Sequence, residues 1–241
     1  MKITADFDVK EAIAGLDDVQ KRQVPFATAL ALTRTAQKIK AAEIEEMKQV
    51  FDRPTKFTLN SLFMKKATKK RLEAVVWFRD FIPKGTPAGK YLQPQIHGGT
   101  REAKRSEQHL RNRGILGRNQ YLAPSRDAKL DRYGNISRGQ IVKMLSQLRA
   151  QFDPYQNTVS DEAKKRQRKG GVQFFAMRRA GKFIGIWQRT GSGISPFLVA
   201  TRKAPQYKPI FKFFEIGQKV AADNLRGEFD KAIEEALRTA N

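Results

Sequence analysis

The stretch from Pro25 to Trp77 constrains this chain more than any other part of it. It begins with PFATALALTRTAQKIKAAEIEEMKQVF, in which Phe26, Leu30, Thr33, Ile39, Ala42 and Val50 recur loosely at helical spacing among lysines and glutamates. Pro25 fits the first turn of such a helix, where no amide hydrogen is needed. Arg53-Pro54 closes the run, because a residue preceding proline is pushed out of the α region. A short TKFTLNSL segment follows, and then two apolar-rich runs, Leu62–Lys70 and Leu72–Arg79, separated by a basic turn. Val75, Val76, Trp77 and Phe78 give the second run its β character, so the order is helix, break, hairpin. The ATALAL part of the helix is apolar on nearly every side and therefore needs cover from other elements or from another subunit. Phe26, Leu30, Leu32, Trp77 and Phe78 are the candidate subunit-interface residues.

Charge sets the next bound. The 241 residues contain 47 Lys and Arg against 24 Asp and Glu, a formal net charge of +23. Such a surplus favours phosphates or a strongly acidic protein surface and says nothing about fold. Forty per cent of the residues are hydrophobic and 16 are phenylalanine, enough to anchor a core. Zero cysteines exclude disulfides, thiolate metal sites and cysteine nucleophiles. No run reaches the length of a membrane-spanning helix, and MKITADFDVKEAI lacks a signal-peptide apolar core, which predicts a cytoplasmic start.

Elsewhere, alternation over Lys2–Val9 predicts a short strand, with a helical segment from about Asp8 through Leu16 and Val19. Phe81–Lys90 is a Pro/Gly loop, Tyr91–Ile96 a helical turn, and Thr100–Arg113 a polar helix capped at Thr100 and ending at Gly114. Ile115–Asn135 reads as irregular. Ser137 caps a helix over RGQIVKMLSQLRAQF. Asp153–Gly171 reads as an extended or disordered loop ending in KKRQRKGG. Strands are predicted at Val172–Arg178, Phe183–Arg189 and Pro196–Arg202, and a long amphipathic helix at Ile210–Ala240. The predicted class is α+β: long N- and C-terminal helices packed on an antiparallel sheet of hairpins. One domain covers 1–241, with 80–171 as an insertion region of polar helices and a basic loop.

Chemistry is hard to find. His97 and His109 have no second ligand at metal spacing; His109 reads as solvated and His97 as a loop residue before Gly98-Gly99. Asp127-Ala-Lys129, Glu102-Ala-Lys104 and Glu162-Ala-Lys164 share the acid-x-lysine spacing of some nucleases, but no acidic partner precedes them on a strand. The glycine turns lack the GK[ST] end of a phosphate-binding loop. No catalytic, metal or cofactor site is expected, and the chain reads as a non-enzyme. Lys164, Lys165, Arg166, Arg168 and Lys169 are the candidate contacts for DNA or an acidic partner. Lys65, Lys66, Lys69, Lys70 and Arg71 surround the hairpin turn, where charge also discourages unwanted strand pairing.

The strings VPFATALALTRTAQKIKAAE, VFDRPTKFTLNSL, AGKYLQPQIHGGTREAKRSEQHLR and LDRYGNISRGQIVKMLSQLRA resemble the phage and prophage minor tail protein Z family of tail-completion proteins. GIWQR, RKAPQYKPIFKFF and the last helix extend the resemblance over about Val24–Ala240. It implies a virion structural protein at the neck or upper end of the tail, forming a homo-oligomeric ring that joins head to tail. It further implies connector or portal-side neighbours, tail-tube or terminator proteins, and contact with genomic DNA in a channel. A DNA-binding packaging or recombination accessory is the competing class, and it predicts strongly salt-dependent duplex binding.

Overall fold

The structure, a computed structural model, describes residues 1–5, 18–83, 85–157 and 171–238. In chain order, β1 (Lys2–Ala5) precedes the long α1 (Asp18–Val50), the single turn α2 (Lys56–Leu59), β2 (Leu62–Lys65) and β3 (Ala74–Phe78). Two short helices follow, α3 (Ala88–Tyr91) and α4 (Gln93–His97). Next come β4 (Gly99–Thr100), α5 (Arg105–Asn112), β5 (Tyr121–Pro124), α6 (Arg138–Gln147) and a 3-10 turn at Pro154–Asn157. Three long strands, β6 (Gln173–Arg179), β7 (Lys182–Thr190) and β8 (Gly193–Thr201), lead to β9 (Gln206–Tyr207) and α7 (Phe213–Arg238). The class is α+β.

The chain divides into two compact units, Met1–Gly98 with Lys208–Asn241, and Gly99–Tyr207. This differs from one domain with an insertion over 80–171. The inserted unit begins and ends later because it takes β6–β8 with it. Those strands form a separate four-stranded sheet, ordered β5–β8–β7–β6, and do not join the N-terminal hairpin.

In the first unit, β3 is the centre of an antiparallel sheet ordered β1–β3–β2, with Ile3 opposite Val76 and Leu62 opposite Phe78. Period-two alternation sends Ala74, Val76 and Phe78 inward. They meet Leu32, Ala36, Ile39 and Met47 from α1, and Phe211 and Phe213 from the segment leading into α7. The rings interlock: Phe78 lies tilted 5.1 Å from Phe213, and Phe51 meets Phe211 edge-on at 5.5 Å. Helices α1 and α7 run antiparallel. Ala27 and Ala31 pack on Phe229, Ala232 and Ala236, small residues that let the backbones approach. Arg34 Nη2 donates to both carboxylate oxygens of Glu235 (2.9 and 3.1 Å), and Lys38 pairs with Glu228 at 2.7 Å. Under β1, Gly217 of α7 leaves room for the Ile3 side chain, whose Cδ1 a Cβ there would displace.

The start of α1 differs from the sequence expectation. The helix starts at Asp18, so Pro25 lies inside it and not in its first turn. Helix-forming residues before the proline extend the helix backwards, and Thr28 Oγ1 donates to the Val24 carbonyl at 2.8 Å in this stretch. The apolar sides of ATALAL are covered largely by this chain's own α7 and sheet. At the far end the helix stops at Val50, and Arg53 takes a left-handed φ of 48° before Pro54. The expected strand to Val9 ends, as described, at Ala5, and the helical segment from Asp8 falls mostly outside the described residues.

In the second unit, β4 and β9 pair where the chain comes in and leaves, Gly99 opposite Tyr207. The core joins Leu110 of α5, Met144 and Leu145 of α6, and Phe174, Ile186, Phe197 and Leu198 of the sheet. Ser137 caps α6 as expected, accepting from the Gln140 amide at 3.3 Å. Tyr121–Pro124, read as irregular, is a strand because it finds the open edge of β8. Thr100 belongs to β4 and not to a helix cap. The start of α5 is held instead by Glu107, which accepts from the Lys104 amide at 2.7 Å.

Glu107 is fully buried and saturated. It also accepts two hydrogen bonds from Arg101 (2.7 and 2.8 Å) and one from the Leu122 amide at 2.8 Å. Burial pushes its carboxyl up, but these donors outweigh burial and hold it below the usual range. His109, expected to be solvated, is buried. Its ring stacks on Phe152 with centroids 3.6 Å apart, and Nδ1 lies 2.9 Å from the Ala150 carbonyl.

Glu43 of α1 is the opposite case. It is fully buried, and neither carboxyl oxygen has a hydrogen-bond partner. Burial, with Glu46 and Glu215 nearby, pushes its carboxyl from 4.5 up to about 9. The unfolded chain ionises this group near 4.5, so its contribution to stability is full below that pH and is lost progressively up to about 9. At roughly 1.4 kcal/mol per unit, the loss by pH 7 is on the order of 3 kcal/mol. Glu43→Gln is therefore expected to flatten the fall of unfolding free energy between pH 5 and 9, measured by denaturant titration. An unchanged slope would show that Glu43 is not buried in its neutral form.

Candidate interface groove on the long helix

The stretch of α1 from Phe26 to Gln37 presents one stripe at helical spacing: Phe26, Ala29 with Leu30, Thr33 with Arg34, and Gln37. Opposite it lies the turn between β2 and β3, Lys66–Lys69, held in place where the Ala67 amide donates to Thr33 Oγ1 at 3.2 Å. A small bridge between Thr68 and Arg71 tightens the turn. Between helix and turn runs an open groove of about 450 Å³. Its floor is apolar, formed by Ala29, Leu30 and Ala67, and its wall is cationic. Lys69 holds its ammonium 5.1 Å from the centre of the Phe26 ring, and Phe26 itself remains 37% exposed. Lys66 is exposed, whereas Arg34 is taken up by Glu235.

The five interface candidates separate. Phe26 and Leu30 line the groove. Leu32 and Phe78 are fully buried in the core of their own unit and cannot meet a partner. Leu32 follows Leu30 by two residues, which turns it to the other side of the helix; Phe78 alternates inward with Val76. Trp77 sits half-buried on the sheet face away from α1, 6.1 Å from Phe63, whose ring also carries Arg79 at 4.3 Å. Thr33 shares the helical spacing of the sequence pattern, whereas Gln37 is polar and gives no such signal beyond its place in the steps of four from Ala29 and Thr33.

Lys164, Lys165, Arg166, Arg168 and Lys169 lie outside the described residues. Charge is nevertheless unevenly divided. Gly99–Tyr207 holds 23 of the 47 Lys and Arg but only 7 of the 24 Asp and Glu, so the second unit carries most of the surplus. Among the described residues, no group of three His, Asp or Glu side chains could hold a metal ion. Asp127 is exposed, and its amide is satisfied by Ser125 Oγ at 3.2 Å. Among the described residues, no helix is long and apolar enough to cross a membrane. Compared with protein-family models, curated proteins and solved structures, the chain matches none.

The division of the five candidates is testable by stability alone. Leu32→Ala removes a fully buried side chain and is expected to cost about 2–5 kcal/mol in denaturant unfolding. Phe26→Ala is expected to cost about 1 kcal/mol or less. Equal costs would mean that Phe26 belongs to the core and not to a free groove.

Proposed function

We propose that this chain is a structural component of a phage particle, a tail-completion or head–tail joining subunit at the neck or upper end of the tail. The observation that carries this reading is the groove. An apolar floor beside lysines, built on a rigid antiparallel helix pair, suits a neighbouring subunit that supplies an apolar side chain flanked by carboxylates. The order of α1, Pro54, α2 and the β2–β3 hairpin is the same order that carries the resemblance to tail-completion proteins. In this reading the neighbours are virion proteins and further copies in a ring, and the particle is assembled in the host cytoplasm.

The uneven charge favours a second reading, a DNA-binding packaging or recombination accessory acting outside the particle. The two part company in the particle itself. Under the first reading, particles made without this chain give filled heads beside unattached tails by electron microscopy, and mass spectrometry finds the chain in wild-type virions. Leu30→Lys, which puts charge on the groove floor, reproduces that defect while the purified variant stays folded. Wild-type virions lacking the chain, or normal particles from Leu30→Lys, would defeat the reading.

A further inference from the structure

The second unit has a face whose chemistry differs from that of the groove. In the sheet β5–β8–β7–β6, Phe174, Ile186, Leu198 and Leu122 point to the core that α5 and α6 complete. Their alternate neighbours point the other way. Register aligns these in rows across the strands: Phe175, Trp187 and Pro196 in one, Met177, Gly185, Val199 and Ala123 in the next, and Gln173, Arg189 and Ile194 on the other side. None of these residues belongs to a buried core cluster. Phe175 and Trp187 are half-buried, while Val199 and Ile194 remain 41% and 51% exposed. Gly185 leaves the middle of the face without a side chain, because a Cβ there would collide with the Leu198 carbonyl oxygen. The face is therefore apolar and aromatic at its centre, with a bulge at Ile186/Trp187 in the β7–β8 ladder.

The strands β6–β8 carry charge of one sign. From Gly171 to Tyr207 the sequence contains no Asp or Glu. Arg189 is exposed, with its guanidinium 5.9 Å from the centre of the Phe175 ring. Arg178, Arg179 and Lys182 stand at the β6–β7 hairpin end, three or more residues from Phe175, which is roughly 10 Å along a strand. An aromatic surface bordered by arginines, on strands that carry no carboxylate, matches a ligand made of planar rings joined by phosphates.

We propose that this outer sheet face binds single-stranded nucleic acid, with unpaired bases stacking on Trp187 and Phe175 and phosphates met by Arg189 and the basic hairpin end. Charge complementarity selects a polyanion, and the aromatic row selects one with exposed ring faces. A duplex covers its base faces and offers such a platform only its backbone. The proposal stands apart from the particle reading and from the groove.

The test uses the full chain carrying Trp77→Phe, which leaves Trp187 as its tryptophan. Oligothymidylate and oligouridylate of about 12 nucleotides, and a duplex of the same length, are titrated while Trp187 emission and the anisotropy of an end-label are followed. Expected is quenching of Trp187 by the single strands, with tenfold or greater weakening by Trp187→Leu and recovery by Trp187→Tyr. Arg189→Gln is expected to weaken binding and to make the log-affinity slope against log salt shallower by about 0.7. Comparison of the thymidylate and uridylate arms assigns DNA or RNA. Overturning results are single-strand binding with unchanged Trp187 emission, equal affinity after Trp187→Tyr and Arg189→Gln together, tighter binding of the duplex, or displacement of the oligonucleotide by polyglutamate at matched charge. The last would assign the face to an acidic protein. Circular dichroism confirms folding, and if Trp187→Leu unfolds the chain, the quenching of Trp187 emission and the Arg189→Gln variant decide.

Discussion

The antiparallel packing of α1 on α7 is the interaction from which the first unit is built. Its two helices come from nearly opposite ends of the chain, and their contact converts several local solutions into one. Ala27 and Ala31 against Ala232 and Ala236 allow close approach, and the aromatic segment before α7 is thereby laid across the sheet. Phe211 and Phe213 are fully buried, and side chains of this size stabilise by about 1.5–3 kcal/mol each on burial. Without α7 in place, that aromatic surface and the inner face of β3 would both be exposed. The Arg34–Glu235 pair and the Lys38–Glu228 pair fix the sliding register of the helices more than they add stability, since both remain partly solvated.

What was legible in the sequence was whatever local chemistry dictates. Val75 to Phe78 could hardly be anything other than a strand, Ser137 with Gln140 forms a capping box, and the turns at Ala180-Gly181 and Gly191–Gly193 separate three strands. What was not legible depends on partners far away in sequence. Tyr121–Pro124 is four residues with no usable alternation, and only the free edge of β8 makes it a strand. His109 became buried because Phe152 and Ala150 close over it from beyond α6. Pro25 argued for a helix start on local grounds, but the helix-forming residues ahead of it carry α1 back to Asp18. Glu43 hides among KIKAAEIEE, yet it falls between Ile39 and Met47 at steps of four, on the apolar ridge. The interface candidates failed in the same way: apolarity was visible, but the side of the helix was not. Leu30 and Leu32 differ in role because two residues turn a helix by more than half.

The two units carry different kinds of surface. The first places an apolar groove and lysines on a stiff helix pair, a geometry for holding a protein neighbour. The second concentrates positive charge and is organised internally around one buried acid. Glu107 joins Arg101, the start of α5 and β5 in a single saturated cluster, so the most basic part of the chain is held together by one of its few carboxylates. An uncompensated arginine at that place would be costly, which ties the integrity of the basic unit to a negative charge at its centre.

The ladder between β4 and β9 has a consequence for modularity. Gly99 and Tyr207 are direct partners, so the inserted unit starts and finishes at one place on itself. The first unit closes the same gap from its own side, because the Gln95 carbonyl accepts from both the Ile210 and Phe211 amides at 2.9 and 3.0 Å. Each unit thus brings its own two ends together without help from the other. A chain built this way can gain, lose or exchange residues 99–207 as a cassette, bridged by a few residues, while the helix pair and its sheet keep their covalent frame.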